Sequence, residues 1–127
     1  MSSPLKGIKI LDLTHMLAGP YGTMVLADLG AEIIKIEPPL KGEITRNLLK
    51  NDPDYSVDGV GAYHLTLGRN KKSLTLDLKS EPGKNIFYQL VKKVDVVIDN
   101  FSSGVTKRLK IDLSLIHISE PTRRTDI

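Results

Sequence analysis

The turn Thr14–Ala18 is the first place along the chain where side chains could do chemistry. It contains His15 and lies between an apolar strand and a small-residue helix start, Ala18-Gly19-Pro20. The unpaired N–H groups and the dipole of a helix N-terminus favour an anion, and open α/β sheets bind ligands at this edge. The turn therefore predicts a phosphate-bearing or nucleotide-like ligand and no particular reaction. The alternative is a locally hydrogen-bonded turn that satisfies His15.

Two further groups of polar residues lie near predicted strands. The first combines Asn70-Lys71-Lys72 with Leu76–Lys79, and its lysines suit phosphates because an ammonium group is a compact point charge. The second is Asn100-Phe101-Ser102 at the end of a strand, with Arg108 downstream. The alternatives are an exposed turn entering a strand for the first group, and a strand cap with a core ring for the second.

Several kinds of site are not predicted. The chain has no G-x-G-x-x-G fingerprint, which disfavours NAD binding. It shows no nucleophile elbow, and its three histidines are not at ligand spacing, so no metal site is expected. Without cysteine it has neither disulfides nor thiolate ligands. We interpret Asp12 and Asp28 as structural.

The positive charge is concentrated in the second half of the chain. The net charge is +3, and residues 61–112 carry ten Lys/Arg against five Asp/Glu. Such a half could suit a phosphate-bearing ligand or could simply be a solvated face. Nucleic acid is not expected, because aromatic residues are few and no reader motif is present. No apolar run approaches the roughly 18 residues of a spanning helix, so we expect a cytoplasmic protein without membrane contact.

The elements that position these groups alternate between strands and helices. The predicted strands are Lys9–Leu13, Glu32–Glu37, Ser73–Asp77 and Val94–Asn100. The predicted helices are Gly19–Leu29, one that Ser80 caps and that ends near Lys93 with Ile86, Leu90 and Val91 facing inward, and one that begins near Ser103–Val105. The turn-rich residues 40–61 predict a surface loop. This order predicts an α/β fold with a Rossmann-like, open, mainly parallel sheet and flanking helices.

Four blocks of sequence, in order, resemble the class III coenzyme A transferases of the CaiB/BaiF type. They are LAGPYGTMVLADLGAEIIKIE at 17–37, GEITR at 42–46, GRNKKSLTLDLKSEPGK at 68–84 and DVVIDNFSSGVTKRL at 95–109. The family includes formyl-CoA and succinyl-CoA-dependent transferases, with α-methylacyl-CoA racemase as a close relative. The resemblance covers Pro4 to about Asp112. It implies that residues 1–112 form the N-terminal part of the transferase large domain, so that the fold is truncated.

The resemblance also implies an activity for the full-length protein. In this family an aspartate attacks the thioester of an acyl-CoA, and coenzyme A passes through an enzyme-bound thioester to a carboxylic acid. That aspartate is expected beyond the end of this chain, so no catalytic residue is expected here and the fragment should be inactive. Acyl-CoA and the acid are substrates, no cofactor is permanently bound, and the full-length protein is expected to form an interlocked homodimer. A racemase-like enzyme and a non-catalytic coenzyme A- or nucleotide-binding module are the alternatives.

Carried over residue by residue, the resemblance assigns eleven positions to coenzyme A binding. They are His15, Leu17, Ala18, Leu76, Asp77, Leu78, Lys79, Asn100, Phe101, Ser102 and Arg108. We expect them to line one crevice, with Lys79 and Arg108 at its phosphate end. Leu17 occupies a position where some transferases have glutamine, which argues against a formyl/oxalate enzyme. Pro38 falls where some members place a basic residue.

The last residues depart from the family pattern. Residues 113–123 read LSLIHISEPTR, which resembles the translation of a transposase sequencing adaptor. We therefore expect residues 113–127 to be a non-native tail and the natural protein to continue differently after Asp112. A genuine short helix and tail is the alternative.

Overall fold

The computed structural model of this chain describes residues 2–112. The strands are β1 (Lys9–Asp12), β2 (Glu32–Glu37), β3 (Ser56–Val57), β4 (Val60–Gly61), β5 (Lys71–Thr75) and β6 (Val96–Ile98). The α-helices are α1 (Ala18–Asp28), α2 (Ala62–Leu67), α3 (Glu81–Val91) and α4 (Val105–Leu109), and a 3-10 helix spans Ile44–Arg46. The predicted tail, residues 113–127, lies outside the described residues.

Four strands form one parallel sheet in the order β5-β2-β1-β6. In its register Lys9 lies opposite Glu32 and Ile33 opposite Lys71. Strands β3 and β4 form a separate antiparallel pair within the predicted surface loop. Because the four strands of this sheet are all parallel, their carboxyl ends lie at the same edge of the sheet. The predicted open, parallel α/β architecture is confirmed.

Helices cover both faces of the sheet. Successive side chains of β1 point to opposite faces, so Leu11 packs in one apolar cluster and Ile10 in the other. Phe87 of α3 lies in the cluster with Leu11, and Ala27 of α1 lies in the cluster with Ile10. Among residues 2–112, no helix is long and apolar enough to cross a membrane.

Strand β5 begins two residues earlier than predicted. Lys71 is polar in sequence, yet only 2% of its side chain is exposed, because its ammonium group pairs with the carboxylate of Asp12 at 3.2 Å. The strand also ends earlier, since the side chain of Asp77 accepts the N–H of Lys79 in a turn. The two ends of β5 therefore depend on the Lys71–Asp12 ion pair and on the turn that Asp77 forms with Lys79.

Helix α3 begins as predicted but buries a different face. The Ser80 hydroxyl accepts the N–H of Gly83 at 3.1 Å, which is the predicted N-cap. The inward position of Ile86 was wrong, because 46% of Ile86 is exposed whereas Phe87 is 1% exposed. The buried residues Gly83, Phe87 and Val91 recur every four positions, so they share one helix face.

Candidate functional site

A cleft of about 390 Å³ opens at the carboxyl edge of the sheet. Its volume lies within the range of small-molecule sites. The cleft is lined by Leu13, Thr14, His15, Ile36, Glu37, Pro38, Pro39, Gly42, Glu43, Ile44, Leu76, Asp77, Leu78, Lys79, Phe101 and Leu109. The wall is mostly apolar, and its charged residues come from the ends of strands and from the loops that follow. This is where an open parallel sheet binds ligands.

The structure brings six of the eleven predicted site residues to this cleft. They are His15, Leu76, Asp77, Leu78, Lys79 and Phe101. The other five do not contribute to the wall: Leu17, Ala18, Ser102 and Arg108 are exposed, and Asn100 is partly buried. Arg108 directly precedes Leu109, which does line the cleft. The predicted crevice therefore contains residues from every predicted group, but not every predicted residue.

Three successive N–H groups in the turn after β1 are held by side chains. Thr14 donates to Asp12 at 2.8 Å, His15 donates to Asn100 Oδ1 at 3.0 Å, and Met16 donates to Glu43 Oε1 at 2.9 Å. Asn100 also donates through Nδ2 to the His15 carbonyl at 2.8 Å. These donors are therefore already used, and an anion at this edge has to be bound by other groups.

His15 is placed against an aromatic ring of the cleft wall. The centroids of the His15 and Phe101 rings are 5.6 Å apart, with the ring planes tilted by 32°. Asn100, which holds the His15 backbone, immediately precedes Phe101 at the end of β6. The ends of β1 and β6 are thus joined through both a hydrogen-bonded pair and a ring contact.

Asp12 is buried beneath this turn and holds charged and polar side chains together. It has no solvent exposure, and its carboxylate accepts the Thr23 hydroxyl at 2.6 Å and the Lys71 ammonium at 3.2 Å. Lys35 lies 3.8 Å from the same carboxylate and donates to the Thr14 carbonyl at 2.6 Å. Burial lowers the pKa of Lys71, although the charge of Asp12 opposes this effect. The interpretation of Asp12 as structural agrees with these contacts.

Glu37 forms a second buried charged centre at the end of β2. Arg46 binds its two oxygens in a bidentate pair, with Nε and a terminal nitrogen at 2.6 and 2.8 Å. The Ser73 hydroxyl donates to it at 2.7 Å and the Glu43 N–H at 2.8 Å. Burial alone would raise the pKa of Glu37, but the hydrogen bonds from Arg46, Ser73 and Glu43 outweigh it and lower the pKa to about 2.

Glu43 links this centre to the turn. One oxygen accepts the Met16 N–H, and the other accepts the Thr45 N–H at 3.0 Å together with the Thr45 hydroxyl. His64 Nδ1 lies 3.8 Å from the second oxygen. Burial acts to raise the pKa of Glu43, but the nearby His64 and the hydrogen bonds from Met16 and Thr45 prevail and lower it.

Glu37 and Glu43 were not among the predicted site residues. One signal was available, because Lys35 and Glu37 are charged residues that alternate with isoleucines in a strand followed by Pro38. Charges at such positions are rarely buried unless they are paired. The GEITR block at 42–46 supplies the partners, but only the fold shows which residues they meet.

A parallel sheet with helices on both faces and a cleft at its carboxyl edge places the protein among the open α/β folds, which commonly bind ligands at that edge. The family model described as CoA-transferase family III matches residues 5–121 of this chain. The chain belongs to CoA-transferase family III.

Curated relatives are named as coenzyme A transferases. The chain is 41% identical over 121 residues to a formyl-CoA:oxalate CoA-transferase from Bradyrhizobium sp. (strain ORS 278), covering 95% of this chain and 28% of the relative. It is 44% identical over 106 residues to an acetyl-CoA:oxalate CoA-transferase from Acetobacter aceti, covering 84% of this chain and 26% of the relative. The chain therefore spans little more than a quarter of the length of these relatives.

Solved structures share the fold. A CAIB/BAIF family protein from Brucella suis superposes with a TM-score of 0.81 at 36% identity, covering 91% of this chain and 30% of the other. A hypothetical protein from Mycobacterium tuberculosis gives 0.82 at 35% identity, covering 94% and 32%. The architecture described above is that of the N-terminal part of CaiB/BaiF structures.

Proposed function

We propose that this chain is part of a coenzyme A transferase and that its cleft binds the coenzyme A portion of an acyl-CoA. The observation that carries the proposal is the meeting of His15, Leu76, Lys79 and Phe101 at one cleft, from positions far apart in sequence. Family membership supplies the chemical class of the ligand. The full-length protein would transfer coenzyme A from an acyl-CoA to a carboxylic acid. It would act as an interlocked homodimer.

The composition of the cleft suits the two ends of coenzyme A. Its apolar wall, including Leu13, Ile36 and Phe101, suits the pantetheine arm, whose surface is largely aliphatic. Lys79 is exposed at the cleft, where an ammonium group can meet a phosphate. Asp77 already accepts the N–H of Lys79 at 2.9 Å, so its carboxylate serves the turn and is not a phosphate partner.

The covalent step is proposed to lie outside this chain. In the family reaction an aspartate carboxylate attacks the acyl-CoA carbonyl, the thiolate of coenzyme A leaves, and a mixed anhydride forms; the thiolate then attacks the aspartyl carbonyl and releases the free acid. None of the residues at this cleft is assigned to that attack, so the chain alone is proposed to bind coenzyme A without turnover. Leu17 still argues for an acid other than oxalate, whereas the names of the relatives describe those proteins.

Calorimetric titration of coenzyme A into the chain tests the proposal. Binding should be weak, and Lys79→Ala and Arg108→Ala should each reduce affinity by about threefold, as expected for an exposed ion contact. Lys92→Ala removes an exposed lysine that neither lines the cleft nor adjoins a lining residue, unlike Arg108, which precedes Leu109, and it should leave affinity unchanged. Equal affinity in the wild type, Lys79→Ala and Arg108→Ala would contradict this assignment of the phosphate end.

A further inference from the structure

We propose that Glu43 is a positioning residue for the coenzyme A cleft: its carboxylate holds the backbone of Met16 and so fixes His15 beside Phe101. We call the hydrogen bonds that link Glu43 and Asn100 to the backbone of Met16 and His15 the clamp. The identity of the ligand rests on the function proposed above, whereas the clamp rests on contacts within the protein itself. Glu43 is 4% exposed and accepts the Met16 N–H at 2.9 Å, across 27 positions of sequence.

Met16 needs an external restraint. Its φ of 70° is left-handed, a conformation that costs energy for a residue with a side chain. Met16 is 45% exposed, so packing contributes little to holding it there. The hydrogen bond from its N–H to Glu43 therefore helps to hold this backbone conformation.

The clamp holds His15 from two sides. Asn100 binds both the N–H and the carbonyl of His15, and Glu43 binds the next N–H along the chain. Side chains from two separate segments, the one after β6 and the loop after β2, thus hold two adjacent residues. While both contacts persist, the His15 backbone stays where its ring lies 5.6 Å from that of Phe101.

Glu43 is itself held in place before any ligand arrives. Its own N–H donates to Glu37, and Glu37 is bound by Arg46 in the bidentate pair. Its second oxygen is occupied by the N–H and hydroxyl of Thr45. Because both oxygens accept from donors, the site needs a carboxylate. A carboxamide offers one acceptor oxygen and would turn an NH₂ group toward one of these N–H groups.

The test compares Glu43→Gln with the wild type by NMR of the His15 ring and by calorimetry with coenzyme A. A reference variant, Phe101→Leu, shows where the His15 ring signals lie without the neighbouring aromatic ring. In Glu43→Gln the His15 signals should move toward that reference, and affinity for coenzyme A should fall about tenfold. Glu32→Gln, the same substitution at the opposite end of β2, should change neither.

Two more variants separate positioning from a general loss of stability. Thr45→Ala removes a hydroxyl contact of Glu43 but not the Met16 contact, so it should lower the melting temperature without moving the His15 signals. Glycine adopts left-handed backbone freely, so adding Met16→Gly to Glu43→Gln should recover part of the lost affinity.

Unchanged His15 signals in Glu43→Gln would overturn the proposal, and so would the absence of any rescue by Met16→Gly. A wild-type chain that does not bind coenzyme A would refute the proposed function instead. In that case the His15 signals alone still decide whether Glu43 forms the clamp.

Discussion

Protonation of Glu37 should destabilise the fold, because its buried carboxylate accepts hydrogen bonds as an anion. Arg46, Ser73 and the Glu43 N–H all donate to it. A carboxyl whose pKa is lower in the folded state stabilises the fold above its unfolded pKa. That stabilisation is lost as the pH falls through the folded pKa.

The size of the effect follows from the two pKa values. The ordinary pKa of the glutamate is 4.5 and the folded value is about 2, which corresponds to roughly 3 kcal/mol of stability near neutral pH. The stabilisation begins to fall near the unfolded pKa and is lost through the folded one. Roughly 2 kcal/mol of it should therefore disappear between pH ~7 and pH ~3.

Urea unfolding of the wild type and of Glu37→Gln across this pH range measures the effect. The amide cannot titrate, so the stability difference between the two proteins should shrink by about 2 kcal/mol from pH ~7 to pH ~3. Glu32→Gln is the control, because Glu32 pairs with Lys72 at the protein surface and its removal should leave the pH profile close to that of the wild type. A difference between the wild type and Glu37→Gln that stays constant with pH would refute the reasoning.

Two further predictions concern stability. Phe87→Ala should lower the free energy of unfolding in urea by about 3–5 kcal/mol, because Phe87 is 1% exposed in the cluster between α3 and the sheet. A decrease below about 1 kcal/mol would show that the cluster is loosely packed. Deleting residues 113–127 should leave the melting temperature nearly unchanged if they are a non-native tail, whereas a fall of several degrees, about 1 kcal/mol in a domain of this size, would show that they are integral.

The parts of the fold that were predictable from sequence depend on local patterns. Strand β2 has the predicted bounds, Glu32–Glu37, because its apolar run lies between Gly30 and Pro38. The cap at Ser80 was predictable because an N-cap needs only a short polar side chain near the helix start. Strand β5 was misplaced because the burial of Lys71 depends on Asp12, which lies 59 residues away.

The same distinction applies to the candidate site. Residues such as His15 and Phe101 follow predicted strands directly, so the parallel order of the sheet was enough to bring them to one edge. The contact between Glu43 and Met16 could not be predicted, because it depends on how the loop after β2 folds back over the turn. The path of this loop depends on the Arg46–Glu37 ion pair, which is a tertiary contact.

Buried charges at this edge explain how the turn can keep its shape. Replacing buried ion pairs by apolar residues often leaves stability unchanged or increases it, so such pairs are weak evidence of stabilisation. Here, however, the turn after β1 presents N–H groups that no backbone carbonyl of β1 or α1 accepts, and the carboxylates of Asp12 and Glu43 accept two of them. Among residues 2–112, every buried side-chain polar atom has a partner. Apolar substitutes would leave those N–H groups unpaired, so the geometry of the cleft requires the charges even where stability does not.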